Sequence, residues 1–298
     1  MTGQPARQPA GPSSGKTARD ENFPVGSWLI AAPLRLHVAN FYTFARAADD
    51  VADARGLPAA EKLRLLDRFE AGLDAAADAP DCARRLRESL DACGVSDAHA
   101  RDLLAAFRRD AANPRCADWE DLLGYCALSA HPVGRFLLDL HGESPAQAPE
   151  AYAASDALCA ALQVLNHLQD IAPDCHGLDR IYLPQNWLAV ERVAEADLVA
   201  PSASPGLRRV IDRALDGCDA LLVRAAALPG RLRSRRLAAE SAAILALARR
   251  LAAGLRRGDP LARRVALSRK DFVWAMLCGL VVFAAPRSRP PARQERVA

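Results

Sequence analysis

Residues 44–56 read FARAADDVADARG, and residues 165–184 read LNHLQDIAPDCHGLDRIYLP. Each stretch sets aspartates four positions apart within an apolar run: Asp49 with Asp53, and Asp170 with Asp174. At 3.6 residues per turn, a residue four further along is rotated by only about 40°, so each pair projects from one helix face. For the second pair this requires the helix to persist for about one residue past Pro173. Like charges at this spacing repel by roughly 0.2–0.5 kcal/mol in an isolated helix. Burial raises the cost unless a cation lies between them. One acidic pair is ordinarily a solvated helix face. Two pairs on helices that are apolar around the charge predict an oxygen-rich cage instead. Hard divalent cations prefer that donor set, Mg²⁺ above all, and share it with substrate phosphates.

The flanks fit the same chemistry. Arg46 lies about one turn before Asp49, and Arg180 follows the second pair. Arginine suits phosphate oxygens, although a salt bridge to a nearby carboxylate is an equal reading. Asn166, four residues before Asp170, extends the ligand row or serves as a buried amide. Tyr42 and Tyr125 suit either a core with one hydrogen bond or a cavity wall.

Working outward, the helical pattern continues along the chain and strand-like alternation is nearly absent. The periodicity predicts helices over 33–54, 58–77, 81–94, 96–111 (with Ser96 as N-cap), 118–130, 149–172, 205–228, 231–257, 260–269 and 270–285. His131-Pro132 interrupts one helical run and Pro229-Gly230 separates two others. Short loops and no repeat predict a single all-α domain of stacked antiparallel helices over 21–285. Residues 1–20 and 286–298, rich in Pro and polar residues, read as a disordered lead-in and tail.

Composition excludes some functions. Of 298 residues 51% are hydrophobic, enough for a large core, and mean hydropathy is −0.06, which predicts a soluble protein. Thirty-nine basic residues face 36 acidic ones with no basic block interleaved with aromatics, so nucleic-acid binding is not expected. The eight cysteines form no CxxC pair, which points to buried free thiols in a reducing compartment and a cytoplasmic location. The run FVWAMLCGLVVFAA (272–285) is too short to span a bilayer, which takes about 20 apolar residues. It reads as a buried last helix, with shallow peripheral contact at the inner membrane face as the other option.

The two aspartate motifs, in order and about 120 residues apart, together with YCALSAHPVG between them, resemble the squalene/phytoene synthase family. The stretches ENFPVGSWL (21–29), YCALSAHPVGR (125–135) and DPLARRVALSRKDF (259–272) are most similar to its bacterial hydroxysqualene synthases of hopanoid biosynthesis. The resemblance implies an all-α isoprenoid (terpenoid) synthase bundle with a central cavity. It implies a prenyl diphosphate substrate, namely presqualene diphosphate, which loses diphosphate and is captured by water. It further implies Mg²⁺ held by Asp49, Asp53, Asn166, Asp170 and Asp174. Arg46, Arg180 and Gln169 would contact diphosphate, and Tyr42 and Tyr125 would be catalytic tyrosines. NADPH is not expected. Partners would be a presqualene diphosphate synthase and a squalene-forming oxidoreductase. Two other readings stay open: head-to-head condensation of two farnesyl diphosphates, and a non-catalytic assembly factor that keeps the fold. The chain departs from the family in three places. RDENF stands where a serine-rich segment is usual, no tyrosine follows Tyr182, and His131 replaces an asparagine, where it could tune the water step.

Overall fold

Alanine and leucine runs at helical spacing produce helices throughout. The computed structural model describes residues 30–112 and 115–286. The predicted lead-in, the ENFPVGSWL stretch and nearly all of the tail lie outside these residues. Among the described residues there are thirteen α-helices and no strand, only an isolated bridge between Arg115 and Ile181.

Four helices form the first layer: α1 (Arg35–Ala52), α2 (Ala59–Leu73), α3 (Asp81–Cys93) and α4 (Ala98–Ala111). A short 3-10 turn containing Pro33 leads into α1. Gly94 ends α3 in the left-handed conformation (φ 64°), which costs a glycine nothing. Ser96 is one residue early as a cap: Asp97 holds the N-cap position, and Ser96 Oγ accepts from Ala98 N–H. Phe41, Phe44, Phe69, Leu86 and Leu104 fill this layer's core, where Phe44 meets Phe69 edge-on at 5.7 Å.

The second, larger core is built from α5 (Trp119–Ser129), α7 (Pro149–Gln169), α8 (Ile171–Leu178), α9 (Gln185–Val190), α10 (Pro205–Ala225), α11 (Leu228–Arg231) and α12 (Arg235–Arg257). Helix α6 (His131–Leu140) starts where His131-Pro132 breaks the run and joins the layers: Phe136 stacks on Phe41 at 4.0 Å. Gly134 is needed there, since a Cβ would fall within 2.6 Å of Ser155 Oγ and Cys159 Sγ on α7. Glu143, 1% exposed, accepts from the backbone N–H of Arg233 and Ser234, which fixes the start of α12 to the connection between α6 and α7. Helix α13 (Arg269–Ala284) lies on α12, begun by a capping box between Ser268 and Asp271.

Two boundaries correct the sequence reading. Helix α7 stops at Gln169, not 172, and α8 starts at Ile171 with Pro173 in its first turn. Proline at 173 would clash with the Gln169 carbonyl in a continuous helix, so the chain breaks at Asp170 (φ −111°, ψ 22°). The helix expected over 260–269 does not form. Instead, the Asp259 carboxylate accepts from Leu261 and Ala262 N–H, and from Ala203 N–H, which holds the segment as a turn.

Candidate active site

A cavity of about 490 Å³ separates the two cores. Its walls come from α1, α4, α5, α6, α7, α8 and α12, and most are apolar: Phe41, Leu103, Phe107, Leu158, Leu162 and Ile244. Nine of the ten residues predicted for the site line this one cavity: Tyr42, Arg46, Asp49, Asp53, Tyr125, Asn166, Asp170, Asp174 and Arg180. Gln169 is the exception. It is 2% exposed, and its amide donates to the Val265 carbonyl at 2.5 Å, so it ties down the 258–268 segment from behind the cavity.

The aspartates keep their pairing for local reasons. Asp53 caps α1 with helical φ and ψ, and its N–H bonds the Asp49 carbonyl at 2.8 Å. Asp174 N–H reaches the Asp170 carbonyl at 2.8 Å across the break, so one helical turn is preserved between α7 and α8. The two motifs are joined through Arg180, 4% exposed. Its guanidinium donates to Asp53 Oδ1 at 2.6 Å and to the Ala52 carbonyl at 3.0 Å. Burial opposes the charge on Arg180, but Asp110, Tyr182 and Asp53 outweigh it and hold the guanidinium firmly protonated. Arg46 binds within its own helix, to Asp50 at 2.8 Å and Asp49 at 3.4 Å. Both arginines thus meet carboxylates, and both also face the cavity.

Electrostatic stress collects at Asp49. Burial, then the neighbouring Asp53 charge, pushes its carboxyl up to about 8 against the pull of Arg46. This crowding of acid is what a cation relieves. The donors at hand are carboxylate and amide oxygens (Asp49, Asp53, Asn166, Asp170, Asp174), which fit a hard divalent ion. Among the described residues no three His, Cys, Asp or Glu side chains gather at one point. An ion held by these rows would therefore draw further oxygens from a substrate or from water.

Sequence reasoning missed a cluster on the same wall. Asp110, 3% exposed, accepts from Tyr125 Oη at 2.7 Å and from Tyr182 Oη at 2.9 Å. Burial raises its pKa, while Arg180 and both tyrosine hydroxyls act to lower it. Both phenols are driven up by burial first and by the Asp110 charge second, so they remain protonated donors. His167 stacks on Tyr182 at 3.7 Å, with its Nδ1 3.8 Å from Asp174. The signal for Asp110 was present: it continues the Leu103–Phe107 stripe of α4 but was hidden behind Arg108-Arg109. His131 is not on the cavity wall; its imidazole lies 3.7 Å from Asp156. Ser129, one turn after Tyr125, does line the cavity, and its Oγ is buried with no hydrogen-bond partner among the described residues.

The strain at Asp49 has a pH signature. Folded, its carboxyl is raised from the ordinary 3.8 toward about 8 by burial and the Asp53 charge. Between these limits the native state binds more protons than the unfolded chain, so metal-free stability falls as pH rises. Asp49→Asn removes that titration. The variant should melt above wild type near pH ~8 and converge with it near pH ~4 when both are scanned by calorimetry without divalent cations.

Comparison with known proteins agrees with this geometry. The sequence profile of the squalene/phytoene synthase family matches residues 16–271. A hydroxysqualene synthase of Rhodopseudomonas palustris is 42% identical over 262 residues, 88% of each chain. One of Sinorhizobium fredii is 40% identical over 259 residues, 87% of each chain. Among solved structures, the squalene synthase HpnC of Alicyclobacillus acidocaldarius superposes with a TM-score of 0.68 at 33% identity, covering 78% of this chain and 87% of that one. A dehydrosqualene synthase solved with a ligand shares the fold at 22% identity, with a TM-score of 0.64. With its two aspartate rows lining one apolar cavity and these relatives matching over most of their length, the chain belongs to the squalene/phytoene synthase family of prenyl diphosphate enzymes.

Proposed function

We propose that the protein is a hydroxysqualene synthase: it ionises presqualene diphosphate and captures the rearranged cation with water. The observation that carries this reading is the convergence of nine motif residues on one apolar cavity, in a chain about 40% identical to hydroxysqualene synthases.

The carboxylate rows define the end of the cavity that takes the diphosphate. Asp49, Asp53, Asn166, Asp170 and Asp174 would hold Mg²⁺, which would supply Lewis-acid neutralisation of the diphosphate charge. Arg46 and Arg180 face the cavity and add donors for its oxygens while Arg180 keeps its bond to Asp53. Beyond the rows, the cavity holds a carbocation. The Tyr125 and Tyr182 rings, oriented by their shared bond to Asp110, offer π faces worth roughly 0.5–2 kcal/mol each to a nearby positive charge. The Phe41, Phe107 and Leu158 wall limits water while the skeleton rearranges. Ser129 Oγ is the one hydroxyl on that wall left without a partner among the described residues, and it suits a single held water. The eight free cysteines support a reducing, cytoplasmic setting. The substrate calls for a presqualene diphosphate synthase upstream, and the product for a squalene-forming oxidoreductase downstream.

Purified protein given presqualene diphosphate and Mg²⁺ should release diphosphate and form hydroxysqualene equally with and without NADPH, as read by mass spectrometry of the extract. Squalene formed only with NADPH, or presqualene diphosphate accumulating from farnesyl diphosphate alone, would replace this reading. Ser129→Ala should leave diphosphate release within about threefold of wild type yet lower the alcohol share of the product in favour of alkenes. An unchanged product ratio removes Ser129 from the water step.

A further inference from the structure

Helix α13 was expected to be a buried last helix, and it is not. Only Ala275 and Gly279 are buried along it. Gly279 seats the helix against α12 so closely that a Cβ would lie 2.8 Å from the Ala239 carbonyl. Phe272, Val273, Trp274, Met276, Leu277, Leu280, Val281 and Phe283 all remain exposed, Val281 by 70%. Eight large apolar side chains on one helix form the kind of contiguous patch that soluble monomers rarely leave bare. Among the described residues, no helix is long and apolar enough to cross a membrane.

Charge identifies what covers the patch. Residues 231–286 hold twelve Arg or Lys against three Asp or Glu, a net +9. The whole chain is only +3. Part of this basic set adjoins the apolar helix, while Arg231, Arg233, Arg256 and Arg264 pair with acids elsewhere in the fold. Arg269 and Lys270 open α13 and are exposed; Arg250 lies over the Trp274 ring; Arg235 donates to the Ala285 carbonyl at the far end. A second copy docked through α13 would bring two such net-positive segments together, and that repulsion disfavours a dimer. An anionic bilayer is complementary to both features: its acyl boundary takes the apolar side chains and its headgroups meet the arginines.

We propose that α13 and the arginines around it form a docking surface for an anionic phospholipid bilayer, with the helix lying in the interface and not across it. Helix α12 places this surface one helix from the cavity: Leu237, Glu240, Ser241 and Ile244 line the cavity, while Ala239 seats Gly279. An apolar substrate or product would thus pass between membrane and cavity near α12. The docking surface does not depend on the reaction proposed above, because its readout is binding.

The test is flotation of the full chain with phosphatidylglycerol-containing vesicles and with phosphatidylcholine vesicles. Wild type should float with the anionic vesicles, dissociate as salt rises, and float poorly with the neutral ones. Leu277→Glu/Val281→Glu alters two exposed positions outside the α12 contact, so it should keep the wild-type melting temperature and stay unbound. Arg269→Glu/Lys270→Glu should weaken binding to anionic vesicles on the order of tenfold or more. Equal flotation with both vesicle types, or wild-type flotation of either variant, overturns the proposal. So does light scattering that shows a stable dimer dissociated by the α13 variant, or DNA binding without vesicle binding.

Discussion

The buried bond from Arg180 to Asp53 holds the site together. Asp53 ends α1 in the first layer, and Arg180 follows α8 in the second. A guanidinium that is 4% exposed is stable only with its charge met, and here Asp53, the Ala52 carbonyl and the nearby Asp110 meet it. The aspartate motifs, about 120 residues apart in sequence, are thereby locked across one cavity. Breaking one side of such a pair leaves an uncompensated buried charge, costing roughly 3–5 kcal/mol.

The rest of the cavity follows from where charge is allowed. The lining combines the aspartates and arginines of the two motifs with phenylalanines and leucines. The same lining includes the Asp110, Tyr125, Tyr182 and His167 cluster, a buried carboxylate satisfied by two phenols. A carboxylate in an apolar wall is expensive unless hydrogen-bonded. The phenols satisfy it, and their rings are fixed toward the cavity as a result. The strain at Asp49 belongs to the same design: the fold tolerates adjacent acids at a site where a cation and a diphosphate would relieve them.

Much of this was legible in the sequence because helices report themselves through spacing. Asp49 with Asp53, and Asp170 with Asp174, could each be assigned to one helix face, and these aspartates line the cavity together with Arg46, Arg180, Asn166, Tyr42 and Tyr125. What failed depended on tertiary context. Gln169 sits in the motif but points behind the wall, because the break forced by Pro173 falls just after it. Asp110 drew no reading from the sequence, and only its bonds from Tyr125 and Tyr182 and its burial place it in the site. His131 was singled out because it stands where an asparagine is usual, yet Ser129, two residues earlier, is the one that faces the cavity. Helix α13 read as core because its pattern is apolar all round, and burial cannot be inferred from hydrophobicity alone.

The central claim is that both aspartate rows act together on one diphosphate. Calorimetric titration of inorganic diphosphate into wild type, Asp53→Asn and Asp174→Asn, each with and without Mg²⁺, tests it most directly. The account predicts Mg²⁺-dependent binding to wild type that is lost in either variant while both stay folded. Binding that ignores Mg²⁺, or that survives removal of one row, would contradict it.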